Sequence, residues 1–142
     1  MHPFPHHYEA DLEWKGERTG VLSAPPRPDI LGGPPPQFDG SDRVWSPEHL
    51  LLNALNLCQM NTFFALASKA GLTVETYRSK VSGTLEKGAE GIGFTAFALR
   101  VAVRVADADK EKAEQLLHTA KKYCLVSNAL KLKATLETAV NA

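Results

Sequence analysis

Cysteine is scarce in this sequence: 142 residues contain only Cys58 and Cys124. Two thiols are too few for a cysteine-rich zinc site, and they do not make a disulfide scaffold. Net charge is also missing. Lysine plus arginine number 16 and aspartate plus glutamate number 16, so there is no basic excess of the kind that marks a general nucleic-acid binder. No basic start followed by an apolar run stands at the N-terminus, which makes the cytoplasm the expected location. No internal repeat and no glycine-rich phosphate loop is visible. The length suits one domain, expected over residues 8–142 behind a loose proline- and histidine-rich arm at 1–7.

What is present alternates. Tyr8, Ala10, Leu12 and Trp14 share one face and Glu9, Asp11 and Glu13 the other, which predicts a half-buried strand. A glycine-bounded turn, Gly16–Gly20, leads into a second strand at Val21–Ser23. Ala24–Trp45 holds six prolines (25, 26, 28, 34, 35 and 36), a density that excludes helix and central strand. A long irregular loop of this kind is expected to be functional or packed on a partner.

Ser46-Pro47-Glu48 is a helix start. Serine suits the cap, proline suits the first helical position, and glutamate faces the positive end of the helix dipole. The helix should run to Ala70 and stop at Gly71. It carries no charged residue from Leu50 to Ser68 and has apolar residues on every face, the pattern of a buried helix. Asn53, Asn56, Gln59 and Asn61 argue against a membrane span.

Strands are expected at Val74–Leu85 and Phe94–Val105, with a glycine-rich turn at Lys87–Gly93. A second helix, capped by Asp107 or Asp109, places Ala113, Leu116, Leu117 and Ala120 at helical spacing. Cys124–Leu130 reads as a break and short turn, and Leu132–Val140 as a last strand. The order is β-β-helix-β-β-helix-β, an α+β class with antiparallel pairs.

Cys58 lies within the uncharged helix, and helix position alone favours a small buried hydrophobe there. A nucleophilic role requires a thiolate, hence a nearby cation, for which Arg18, Arg27 and Arg43 are candidates. Glu48 precedes Cys58 by ten residues (58 − 48), roughly 15 Å of helix rise, and on its own is a first-turn carboxylate. Cys124 follows Lys121 and Lys122 at a helix end, and spacing does not establish that it meets Cys58. His6 and His7 fall on the terminal arm, His118 on a solvated helix face, and Trp14 and Trp45 read as packing residues. No metal or organic cofactor is called for.

Taken together, these segments resemble the OsmC/Ohr family of peroxidases. The match is carried by Trp14-x-Gly16-x-Arg18-x-Gly20, by Pro34-Pro35-Pro36-Gln37-Phe38-Asp39-Gly40, by Ser46-Pro47-Glu48-x-Leu50-Leu51 with Cys58, and by Cys124-x-Val126-Ser127-Asn128-Ala129-Leu130. Leu125 stands where many members have proline, and the glycine-rich hairpin of the Ohr branch is missing around Arg18, which points to the OsmC-like branch. The resemblance implies antiparallel sheets around long central buried helices in an intertwined homodimer with its site at the interface. It implies a peroxidatic Cys58, a resolving Cys124, and an Arg18–Glu48 pair that activates Cys58. It also implies organic hydroperoxides as substrates and an external dithiol, a lipoyl-bearing protein or small thiol, as reductant, with no nucleic-acid or membrane partner. The rival class is a non-catalytic OsmC-like dimer that binds a lipid or other small molecule.

Overall fold

The computed structural model covers residues 1–142 and divides into two compact units, Met1–Leu51 and Leu52–Ala142. In the first unit, residues 1–10 form no helix or strand. Strands β1 (Asp11–Gly16), β2 (Thr19–Ser23) and β3 (Ile30–Gly32) make an antiparallel sheet in that order. Two features differ from the sequence reading. The expected strand at Tyr8 begins only at Asp11, and its apolar face is exposed, because Leu12 and Trp14 stand on an edge strand over a cavity rather than a core. The proline-rich segment also contributes β3. Its prolines flank Ile30–Gly32 without entering it, so the backbone donors that pair with β2 remain available.

Helix α1 (Pro47–Lys69) begins and ends within one residue of its sequence signals. The Ser46 hydroxyl accepts the His49 backbone N–H at 3.0 Å, satisfying one orphan donor of the first turn. At the other end Gly71 takes a left-handed φ of +68°, which a side chain would resist. The expectation of burial on all faces is corrected. Only Leu55, Gln59, Phe63 and Ala67 are buried, one stripe spaced by four, while Leu57 is 55% and Phe64 39% exposed. One chain covers one face of this helix. By length and composition α1 is also apolar enough to cross a membrane.

The second unit holds β4 (Val74–Gly88) and β5 (Gly91–Val105), a long antiparallel hairpin. Its turn is only Ala89-Glu90, tighter than the expected Lys87–Gly93 loop, because the glycines lie in the strand ends. Phe97, Leu99, Val101, Val103 and Val105 alternate into the core, as their period of two requires. Helix α2 (Lys110–Tyr123) buries Ala113, Leu117 and Ala120 against it. Asp109 sits at the cap position, but its side chain makes no capping bond. The segment after Cys124 is a short helix, α3 (Leu125–Ala129), rather than a turn.

Strand β6 (Thr135–Asn141) pairs with β5 in parallel, so the all-antiparallel expectation is corrected. Helices α2 and α3 lie between β5 and β6 and carry the chain back along the sheet. That length of crossover is what a parallel neighbour needs. The second sheet has the order β4-β5-β6, and the whole is a mixed α+β fold.

Candidate active site

The chemistry-bearing residues fall into two groups, one in each unit. In the first unit a cavity of about 720 Å³ is walled by Leu12, Trp14, Leu22, Phe38 and Trp45, with Arg18 and Glu48 on its lining. Trp14 and Trp45, expected as packing residues, are cavity walls; Trp14 Nε1 is fixed by donating to the Glu17 carbonyl at 2.9 Å. Arg18 Nη1 donates to the Phe38 carbonyl at 2.9 Å, so the Pro34–Gly40 segment anchors the guanidinium. No ion pair joins Arg18 to Glu48. Glu48 is half-buried, and its Oε1 is enclosed with no hydrogen-bond partner. A buried carboxylate oxygen without a donor is costly, and the guanidinium on the same cavity is the group suited to meet it.

Of the alternative cations, Arg27 bonds back to Ala24 within its own turn. Arg43 lines a different cavity with His49 and Asp42. Neither shares the Glu48 cavity. His118 is exposed and pairs with Glu114.

In the second unit the fold brings Cys58 and Cys124 together. Both are free thiols, and they lie close enough for Cys58 to act on the Cys124 proton. Cys58 is partly exposed on α1, whereas Cys124 is 1% exposed between α2 and α3. Cys124 caps α3, its Sγ accepting the Ser127 N–H at 3.5 Å. Burial pushes the Cys124 thiol up; the Ser127 N–H opposes that rise and the neighbouring Cys58 adds to it. Lys121 is held on the Ser127 hydroxyl at 3.1 Å.

Two residues of this neighbourhood belong to no functional motif in the sequence. Gln59, wholly buried beside Cys58, donates through Nε2 to the Leu117 carbonyl at 3.0 Å and leaves Oε1 unpartnered. A glutamine inside an uncharged helix is the one signal that points to it. Tyr77 on β4 has its hydroxyl buried without a partner, and its position in a strand period carries no signal at all. No group of histidine, cysteine, aspartate or glutamate side chains is arranged to hold a metal ion.

A family model described as OsmC-like protein matches residues 40–139, which include Glu48, Cys58 and Cys124 but not Arg18. The chain belongs to the OsmC-like protein family. Among solved structures, an OsmC-like protein of unknown function from Vibrio cholerae is similar, with a TM-score of 0.85 and 22% identity over 94% of this chain and 99% of that one. An OsmC-like protein from Mycoplasma pneumoniae has a TM-score of 0.83 and 16% identity, over 98% of this chain and 100% of that one. An organic hydroperoxide resistance protein from Legionella pneumophila has a TM-score of 0.73 and 17% identity, over 99% of this chain and 100% of that one. No curated protein matches the sequence significantly.

Proposed function

We propose that this chain is a thiol-dependent peroxidase that reduces organic hydroperoxides to alcohols. The observation that carries this reading is the meeting of its only two cysteines, one accessible and one buried. The Cys58 thiolate attacks the distal oxygen of the O–O bond; that bond breaks and an alcohol leaves, taking up a proton. Cys58 becomes a sulfenic acid, and Cys124 condenses with it to give a disulfide and water. An external dithiol then reduces the disulfide by exchange, with a lipoyl-bearing protein or a small thiol as the reductant. Arg18 supplies the cation that favours the thiolate and polarises the peroxide, and Glu48 holds the guanidinium. The apolar walls of the Arg18 cavity suit the organic part of such a substrate. The organic hydroperoxide resistance protein among the similar structures supports the same chemistry for this chain.

The functional unit in this reading is a homodimer, because α1 leaves Leu57 and Phe64 uncovered in a single chain. The test is hydroperoxide consumption with a dithiol present, comparing wild type with Cys58→Ser. Serine is nearly isosteric, so the fold should survive while turnover falls to background. Substantial turnover by the folded variant would falsify the assignment. The apolar cavity also fits a second reading, a dimer that sequesters a small amphiphile without turnover. Tight ligand binding with no peroxide loss would favour it.

A further inference from the structure

Charge is unevenly spread along a chain whose net charge is zero. From Gln115 to Leu136 there are four lysines, Lys121, Lys122, Lys131 and Lys133, and no aspartate or glutamate. None of the four enters an ion pair. Two are instead held on neutral groups of α3. Lys121 Nζ donates to the Ser127 hydroxyl at 3.1 Å, and Lys133 Nζ donates to the Ser127 carbonyl at 3.4 Å. Lys122 Nζ stands over the Tyr123 ring, 5.7 Å from its centroid, and Lys131 is exposed on the loop that follows α3. Apolar surface lies among these cations: Tyr123 is 57% and Leu125 79% exposed. Cys124 stands between those two residues in the chain, with its own side chain buried. A single exposed lysine is ordinary. Four without a counter-ion, set about two exposed apolar side chains, make a surface whose complement is acidic with an apolar centre.

We propose that the face running from Lys121 to Lys133 docks an acidic segment of the protein that carries the reducing dithiol. The surface itself is read from charge and exposure, and its task rests on the peroxidase reading above. After each turnover the Cys58–Cys124 disulfide has to be opened by a thiol from outside. Cys124 is 1% exposed and Cys58 only partly exposed, so few approaches reach that bond. A cationic surface beside Cys124 draws an acidic carrier in and fixes its orientation. In the exchange, a carrier thiolate attacks the Cys58 sulfur, the more accessible of the two. A new S–S bond joins the carrier to Cys58, the Cys58–Cys124 bond breaks, and Cys124 leaves as a thiolate that takes up a proton. The carrier's second thiol loses its proton and attacks the carrier sulfur bonded to Cys58. The carrier closes to a disulfide and Cys58 is released as a thiolate. The carrier loses two electrons and this chain gains them.

The experiment mixes the full chain with a fluorescent peptide that carries dihydrolipoyl-lysine among glutamates, with the same peptide carrying glutamines instead, and with phosphatidylserine vesicles. Fluorescence anisotropy, which needs neither cysteine, should show the glutamate peptide binding roughly tenfold more tightly than the glutamine peptide, and the difference should fade at about 0.5 M salt. Lys122→Gln combined with Lys131→Gln leaves the bonds of Lys121 and Lys133 to Ser127 in place. That variant should keep the wild-type melting temperature and lose the preference. In protein whose disulfide has been formed with diamide, the glutamate peptide should reduce it about tenfold faster than the glutamine peptide. The variant should lose that advantage, while its reduction by dithiothreitol stays unchanged. Equal binding of the two peptides, a preference that survives in the variant, or capture by the vesicles in place of the peptide overturns the proposal. Binding without faster reduction removes a dithiol carrier as the occupant. A variant that sediments as a smaller species than wild type makes the face a contact between copies and overturns it as well. If the acidic peptide binds and reduces as expected but wild-type Cys58 does not react with hydroperoxide, the peroxidase reading fails and the docking surface stands.

Discussion

Gln59 and Leu117 are both fully buried, and a 3.0 Å hydrogen bond from the glutamine amide to the leucine carbonyl ties α1 to α2. The bond starts one residue from Cys58 and ends on the helix that leads into Cys124. It is therefore a strut between the helix that bears Cys58 and the helix that leads into Cys124. Gln59→Ala removes the bond and leaves a void, and should cost about 2–4 kcal/mol in chemical denaturation. Gln59→Met fills the space and removes the unpartnered Oε1 as well, and should cost less than about 1.5 kcal/mol. Equal losses for both variants would show that the amide hydrogen bond alone, not packing, matters there.

The Cys124 proton makes stability depend on pH. Burial raises this thiol in the folded state, so the fold holds the proton more tightly than the unfolded chain does. That contribution is fully present below the ordinary thiol value of 9.0 and is lost as pH rises through the higher folded value. Tyr77 adds a second loss between its ordinary 10.0 and about 12. Denaturation under reducing conditions at pH 7, 9 and 10 should show stability falling with pH in wild type. The fall should be shallower in Cys124→Ser, where serine still caps α3. Parallel pH profiles for the two proteins would sink this account.

Gly40 closes the segment that holds Arg18. A Cβ there would lie 1.8 Å from the Pro34 carbonyl oxygen, and backbone cannot yield that much. Gly40→Ala should therefore displace the Pro34–Gly40 loop, with the Phe38 carbonyl on which Arg18 is anchored. A loss of about 1–3 kcal/mol is expected from the overpacking. On the peroxidase reading, hydroperoxide reduction should weaken more than the melting temperature suggests. A variant with wild-type stability and turnover would show the loop to be tolerant.

The uncovered face of α1 predicts the oligomeric state. Sedimentation at micromolar concentration should give a dimer, and Leu57→Lys should weaken it by placing a charge on an apolar contact. A monomer that retains full peroxidase turnover would remove both the dimer and any need for it.

Local chemistry makes much of this protein legible in its sequence. Ser46-Pro47-Glu48 and Gly71 bracket α1 because caps and left-handed glycines act within a few residues. The β5 alternation predicts its own buried face because side-chain direction in a strand has a period of two. The family motifs single out Cys58, Cys124, Arg18 and Glu48 without placing them. Other features escape a sequence reading because they depend on partners far away along the chain. Strand β3 exists because β2 on one side and Trp45 on the other offer its backbone partners, and the direction of β6 follows from how α2 and α3 return the chain.

The sequence by itself determined the class of fold, the ends of the long helix and the identity of the two thiols, since each rests on composition, spacing or nearest neighbours. Only the tertiary structure decided that those thiols lie close together, that Cys124 is the buried one, and that Arg18 hangs on the Phe38 carbonyl. Burial and proximity between distant segments are properties of packing, and no local pattern along the chain encodes them.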